Sequence, residues 1–241
     1  MYSSLFLFLV STLGKDGETD FVKKFCLHRN LSYTLIDIGA NNGAWSKDFI
    51  AFCKRKADRV ILFEPNPHFR DSISELVKKY HIEYIPCIAW FENNTFPFFI
   101  GQNSETSSMV KRMSTRYGIR QNINVKSTDI RPYLRNNYNI FMKLDIEGGE
   151  YELLSHLIND RLLCQLDHLL VEWHLNAMSP KNRLSCLGLR WYLDFHVRTV
   201  CPKAVEIHHS EYEGNNFGAI VPGLSEENNK RLQMQKYKWD R

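Results

Sequence analysis

Residues 34–43 read "TLIDIGANNG", and the reading of this stretch decides the fold. Five strand-forming residues, Thr34 to Ile38, run straight into a turn with glycines at 39 and 43 around two asparagines. A strand that ends in a glycine turn opens a strand–helix–strand unit, provided that a helix follows. One does: Trp45, Phe49, Phe52 and Cys53 recur at helical spacing and predict a face laid against a sheet.

Moving outward along the chain, the unit repeats. Arg59 to Phe63 reads as a second strand ending at Glu64, and Asn66-Pro67 supplies a cap and a first helical residue. Phe69, Ile73, Leu76, Val77 and Tyr80 then trace a buried face, Ile82 to Ile88 a third strand, and Thr95 to Ile100 an additional antiparallel one. The stretch "GQNSETSSMVKRMSTRYG" (101–118) has no apolar period, and a polar segment of that length reads as a functional lid. Ile140 to Leu144 is the fourth strand, followed by a helix bearing Leu153, Leu154, Leu157 and Ile158. Leu166 to Val171 is the fifth strand and ends in "EWH". Ser179-Pro180 opens a helix whose face carries Leu184, Leu187, Trp191 and Phe195, and Glu206 to His208 with Phe217 to Val221 suits a closing hairpin. This alternation predicts an α/β fold, a doubly wound, mostly parallel sheet with helices on both faces.

Composition agrees with one globular domain. The 241 residues are 44% hydrophobic and 24% charged, which favours neither a disordered chain nor a membrane bundle. The expected division is a helical extension over 1–33, the main domain over 34–223 and a charged tail over 224–241. The net charge of +4 is scattered, so nucleic acid is not an expected partner. Lys111 to Arg120 is the exception, with four basic residues and no acid, and suits an anionic acceptor. Six cysteines without a C-x-x-C pair exclude a zinc ribbon and read as reduced, buried thiols. Their even count, with the sequons Asn30-Leu31-Ser32 and Asn93-Asn94-Thr95, would equally suit a secretory route. The apolar run Leu5 to Leu13 is too short to span a bilayer and lacks a basic flank and a cleavage site. The cytoplasm is therefore the default compartment, with the secretory pathway the alternative if residues 1–14 act as a signal or anchor.

In doubly wound sheets the ligand binds beyond the carboxyl ends of the strands. The residues that fall there are Asp37 to Gly43, Glu64 to Asn66, Asp145 to Glu150 and Glu172 to His174. Gly39 and Gly43 form G-x-x-x-G, not the G-x-G-x-x-G that a pyrophosphate needs, and no phosphate-binding NTPase loop is present. A smaller cofactor, with an amino-acid end against the turn, fits better. Glu64 lies 21 residues beyond Gly43, where an acid accepts from both ribose hydroxyls and repels a 2′-phosphate. No G-x-S-x-G elbow occurs, which excludes a hydrolase of that type.

The segments "IDIGANNG", "FEPNP", the serine pair Ser107-Ser108, "MKLDIEGGEYELL" and "LLVEWH" resemble the FkbM family of S-adenosylmethionine-dependent methyltransferases, over roughly Thr34 to Gly223. The resemblance implies the class I methyltransferase fold, with seven strands in the order 3-2-1-4-5-7-6. It implies S-adenosyl-L-methionine as cofactor, with Asp37, Gly39, Ala40, Asn41 and Gly43 around the methionine end, Glu64 on the ribose, Cys87 to Ala89 near the adenine, and Asn66 also among the cofactor-binding residues. No acidic or aromatic residue follows the third strand where many such enzymes read adenine, which leaves Ser107 and Ser108 as candidates.

Methyl transfer from a sulfonium asks the protein to hold an acceptor oxygen in line and to remove its proton. Asp145, Glu147 and His174 are the catalytic candidates for that work. Their structural reading is that Asp145 caps the next helix while Glu147 and Glu150 face its dipole. Glu172, ending a buried strand, calls for a cation or a hydrogen-bond network. A divalent ion held by Asp145 and Glu172 is the alternative that this reading does not favour. The function expected is O-methylation of a hydroxyl on a small molecule or carbohydrate. A non-catalytic cofactor-binding module is the alternative, with a nucleotide-dependent oxidoreductase behind it.

Overall fold

The computed structural model describes residues 12–13, 22, 26, 32–53, 57–102, 106–111, 118–175, 178–179, 181–201 and 205–211. In chain order the strands are β1 (Thr12–Leu13), β2 (Tyr33–Ile38), β3 (Ala57–Phe63), β4 (Glu83–Ile85), β5 (Ile88–Trp90), β6 (Thr95–Gly101), β7 (Ile119–Asp129), β8 (Ile140–Leu144), β9 (Leu166–Trp173) and β10 (Glu206–Glu211). The helices are α1 (Ala44–Phe52), α2 (Arg70–Tyr80), α3 (Arg131–Arg135), α4 (Glu150–Asn159) and α5 (Arg183–Val200).

Because side chains alternate across a strand, a sheet covered on both faces must be apolar at every position. β2 and β8 are buried throughout and apolar except at Thr34, Asp37 and Lys143. Ile36, Ile38, Ile61, Phe63, Met142 and Leu144 project to one face and pack with Leu153, Leu154 and Leu157 of α4. Leu35, Val60, Leu62 and Phe141 project to the other and pack with Phe49 of α1 and Ile73 of α2. The main sheet runs β4-β3-β2-β8-β9-β10-β1, and every neighbouring pair is parallel. Helices therefore lie on both faces, the doubly wound arrangement expected.

The order differs from expectation at one edge. No strand stands between the fifth strand and Glu206–Glu211, which pairs directly and in parallel with β9. A hydrogen-bond chain fixes β10 there: Trp173 Nε1 donates to His209 Nδ1 at 2.8 Å, and His209 Nε2 lies 3.0 Å from Asp194 of α5. The seventh place is taken by Thr12–Leu13, inside the segment read as a helical extension, while Val22 and Cys26 of that segment are helical and buried. The partner expected for a closing hairpin, Phe217 to Val221, lies outside the described residues.

Three further expectations are corrected. The third strand is not continuous over Ile82 to Ile88: Pro86, which has no N–H to give to a ladder, separates β4 in the main sheet from β5 in a second sheet of order β5-β7-β6. The cysteines are not all reduced, since Cys26–Cys53 and Cys164–Cys201 are disulfides, leaving Cys87 and Cys186 free. In α5 the face that packs is Cys186, Leu193, His196 and Val197, not the stripe read from the sequence, whose Leu184, Trp191 and Phe195 are exposed. The helix carries two apolar stripes, and the one that meets the core is selected by its docking onto α4.

Candidate active site

The turn after β2 keeps its shape through backbone bonds. Gly39 and Ala40 both donate to the Phe63 carbonyl, at 3.0 and 3.1 Å. Gly39 has φ +84°, and a Cβ there would collide with the Asp145 carbonyl oxygen, so only glycine lets the ends of β2 and β8 approach this closely. Asn41 also takes a left-handed conformation, φ 54°, and the Asn42 side chain accepts from the Ala44 N–H at 3.0 Å, starting α1.

Glu64, at the end of β3, ties this turn to the next. Its two carboxylate oxygens accept from the Asn41 and Asn66 amides, each at 2.8 Å. Burial pushes its pKa up to about 8, although those two bonds work the other way. Asn66 caps the turn at Pro67–Phe69 through its acceptance from His68 N–H, and its amide nitrogen reaches Ser107 Oγ at 3.2 Å.

Across a cavity of about 410 Å³ stand the ends of β8 and β9. Lys143 is a cation within a wholly buried strand; it pairs with Asp145 at 2.8 Å and lies 5.6 Å from the centre of the Trp45 ring. Burial opposes a charge on Asp145, yet the Lys143 ammonium and then His174 hold its carboxyl below the usual range. Glu147 sits in the left-handed region, φ 55°, a conformation that costs a non-glycine residue about 1 kcal/mol or more. Ser108 Oγ donates to the Glu147 carbonyl at 2.8 Å and so pins that backbone. Burial pushes the Glu147 carboxyl up to about 8, and its Oε2 accepts no hydrogen bond.

His174 is the hub behind these groups. Its Nδ1 lies 2.9 Å from Glu150 Oε1, and its Nε2 lies 3.4 Å from Glu147 and 3.9 Å from both Asp145 and Glu172. Burial opposes a proton on the ring, but Glu150 outweighs it and raises the pKa well above the ordinary value. Glu150 in turn accepts from the Ile146 and Gly148 amides, fixing the loop that carries Glu147. Asp145, Glu147 and His174 each offer one ligand atom, and these atoms lie within 4.8 Å of one another, so they could hold a divalent ion.

Of the residues anticipated from the sequence, Gly39, Ala40, Asn41, Glu64, Asp145, Glu147 and Glu172 line the cavity, together with Ser107 and Cys87 to Ala89. The others stand behind its wall. Asp37 is fully buried and accepts from Ser46 Oγ at 2.5 Å, Gly43 begins α1 against Leu76, and Asn66, Ser108 and His174 support the lining residues. Lys143 was not among the anticipated residues, although a lysine within the apolar run "IFMKL" signals a buried charge. Phe98, Met109 and Trp45 add apolar wall. In the basic run, Lys111 is exposed and residues 112–117 lie outside the described residues.

A glycine turn and a strand-end carboxylate thus face a pair of acids across one cavity, on a doubly wound parallel sheet. A family model described as the methyltransferase FkbM domain matches residues 37–232, and the chain belongs to that family. Among solved structures, the chain is similar to the methyltransferase FkbM of Methylobacillus flagellatus KT, at 18% identity and TM-score 0.37 over 56% of this chain and 30% of that one. It is also similar to the precorrin-6y C5,15-methyltransferase of Geobacter metallireducens GS-15, at 13% identity and TM-score 0.36 over 76% of this chain and 75% of that one. This chain thus spans under a third of the Methylobacillus protein's length. No curated protein matches it. No helix among the described residues is long and apolar enough to cross a membrane.

Proposed function

We propose that the protein transfers a methyl group from S-adenosylmethionine to a hydroxyl of a small molecule or carbohydrate. The observation that carries this reading is the single cavity with the Gly39 turn and Glu64 on one wall and Asp145 with Glu147 on the other. The donors present fit the cofactor. Each Glu64 oxygen keeps a second lone pair for a ribose hydroxyl beside the backbone amide it already accepts. The turn from Gly39 to Asn41 offers close backbone approach to an amino-acid end, and Cys87 to Ala89 with Phe69 offer an apolar edge for a base. When bound, the cofactor supplies an electrophilic methyl on a sulfonium.

The remaining work falls to the chain. Asp145, held ionised by Lys143, supplies negative charge beside a cationic ligand. Glu147 is the group that takes the acceptor's proton: it faces the cavity, and its Oε2 is not committed to a hydrogen bond. His174, anchored by Glu150 and holding its own proton, stands 3.4 Å behind Glu147 as a cation that favours the ionised carboxylate. The second reading has Asp145, Glu147 and His174 holding a divalent ion that orients the acceptor oxygen, favoured by the proximity of their ligand atoms.

Calorimetric titration with S-adenosylmethionine tests the first requirement. Binding at micromolar dissociation constant or tighter, weakened at least tenfold in Glu64→Ala, is expected; no binding overturns the proposal, and binding of NAD in its place favours an oxidoreductase. Labelled cofactor with a panel of sugars and phenols then separates enzyme from binding module. Transfer that survives chelation sets the metal reading aside, and Asp145→Asn turning over as fast as wild type would overturn the site assignment.

A further inference from the structure

The sequon Asn93-Asn94-Thr95 plays no part in the proposed activity, and its placement is specific. It forms the turn between β5 and β6, where residues 92–95 are all exposed. Asn93 Oδ1 accepts from the Asp129 N–H at 2.8 Å, which holds the amide in one orientation through its oxygen and not through the nitrogen that a glycan would occupy. Asp129 pairs with Arg131 at 2.8 Å, and Arg131 reaches Asp160 at 3.3 Å, just beyond the last residue of α4. That helix starts at Glu150 beside the cavity, and its ten residues rise about 15 Å. Asn93 therefore lies toward the end of the domain away from the catalytic acids, where a bulky group would leave the cavity mouth open.

A second, independent observation concerns the environment in which the chain matures. Cys26–Cys53 ties the N-terminal segment to the end of α1, and Cys164–Cys201 ties the β9 approach to the end of α5. Disulfides form and persist in oxidising compartments and are rare in the cytosol. In eukaryotic cells the same compartment attaches glycans to N-x-S/T acceptors on surface loops. We propose that Asn93 carries an N-linked glycan, added as the chain passes through an oxidising secretory compartment. In the transfer, the Asn93 amide nitrogen bonds to the anomeric carbon of a lipid-pyrophosphate-linked oligosaccharide. The carbon–oxygen bond to the pyrophosphate breaks, the nitrogen loses one proton, and nothing is oxidised or reduced.

The test is peptide mapping of the full chain isolated from eukaryotic cells that make it, after peptide-N-glycosidase treatment in heavy-oxygen water. The expected result is conversion of Asn93 to labelled aspartate, with a downward mobility shift on treatment. Both are lost in Asn93→Gln and also in Thr95→Ala, which keeps the Asn93–Asp129 bond and so separates loss of the glycan from misfolding. Asn30→Gln leaves the label at Asn93 in place. Recovery of the Asn93 peptide wholly unlabelled overturns the proposal, whether or not Asn30 is modified.

Discussion

At the ends of β8 and β9 the protein keeps charge inside; along the outer stripe of α5 it keeps hydrocarbon outside. The side chains of Glu150 and His174 are entirely buried, whereas Trp191 and Phe195 are 79% and 62% exposed. The two departures from ordinary burial are unequal in weight. An exposed aromatic forgoes stabilisation that it could have contributed, while a buried ion costs free energy unless partners are held around it. The chain supplies those partners one by one: Lys143 for Asp145, Glu150 for His174, and Ser108 for the strained Glu147 backbone. Arrangements of that kind mark functional sites more often than structural ones.

The contrast breaks most visibly at His174. His174→Ala removes the partner of Glu150 and leaves several carboxyls facing one another, so a destabilisation of about 3–5 kcal/mol is expected from denaturant unfolding. A loss below about 1 kcal/mol would mean that the cluster is not a coupled unit. Glu147→Gln separates stability from chemistry. It keeps the shape of the side chain, so cofactor binding should stay within a few-fold of wild type, while methyl transfer falls by about 10²–10⁴. Equal loss of binding and turnover would remove Glu147 from the proton path.

The positions just beyond the strands were legible, because an apolar run that stops at Gly39, Glu64 or Asp145 marks the strand end where ligands bind. The supporting residues were less so. Glu150 and Ser108 act through hydrogen bonds to the backbone of other segments, and a linear pattern does not say which amides will lie nearby. The same limit applies to cysteine pairing, since Cys26–Cys53 and Cys164–Cys201 each join different elements. Helical period announces that α5 has apolar stripes but not which one docks. The place of β10 beside β9 rests on Trp173, His209 and Asp194 meeting in space.

A smaller effect comes from protons that the buried carboxyls retain in the folded chain. Glu64 and Glu147 both have folded-state pKa values raised to about 8, so between their ordinary value of 4.5 and about 8 the folded chain holds protons that the unfolded chain has released. Stability contributed by these groups is therefore full below the ordinary carboxylate range and is lost as pH rises through that window. His174, raised above its ordinary 6.5, adds the same sign, whereas Asp145, lowered, adds no slope there. The thermal midpoint should fall by several degrees from pH 5.5 to 8.5, and Glu64→Gln should flatten part of that fall. A midpoint that climbs across the window would show that these carboxyls are ionised in the folded protein.

The smallest effect is expected at the surface of α5, where the sequence reading and the structure disagree. Trp191 looks like a core residue by spacing, and if it were one, its truncation would cost about 3–5 kcal/mol. Its exposure instead predicts that Trp191→Ser changes the unfolding free energy by no more than about 0.5 kcal/mol. Leu193, two residues on and wholly buried in the core, is the internal control: Leu193→Ala should cost about 2–5 kcal/mol. The ratio of the two losses tests which stripe docks, independently of any assay of function. If Trp191→Ser proves the more damaging, α5 is rotated about its axis from the orientation described, and His196, on the same inner face as Leu193, turns outward with it.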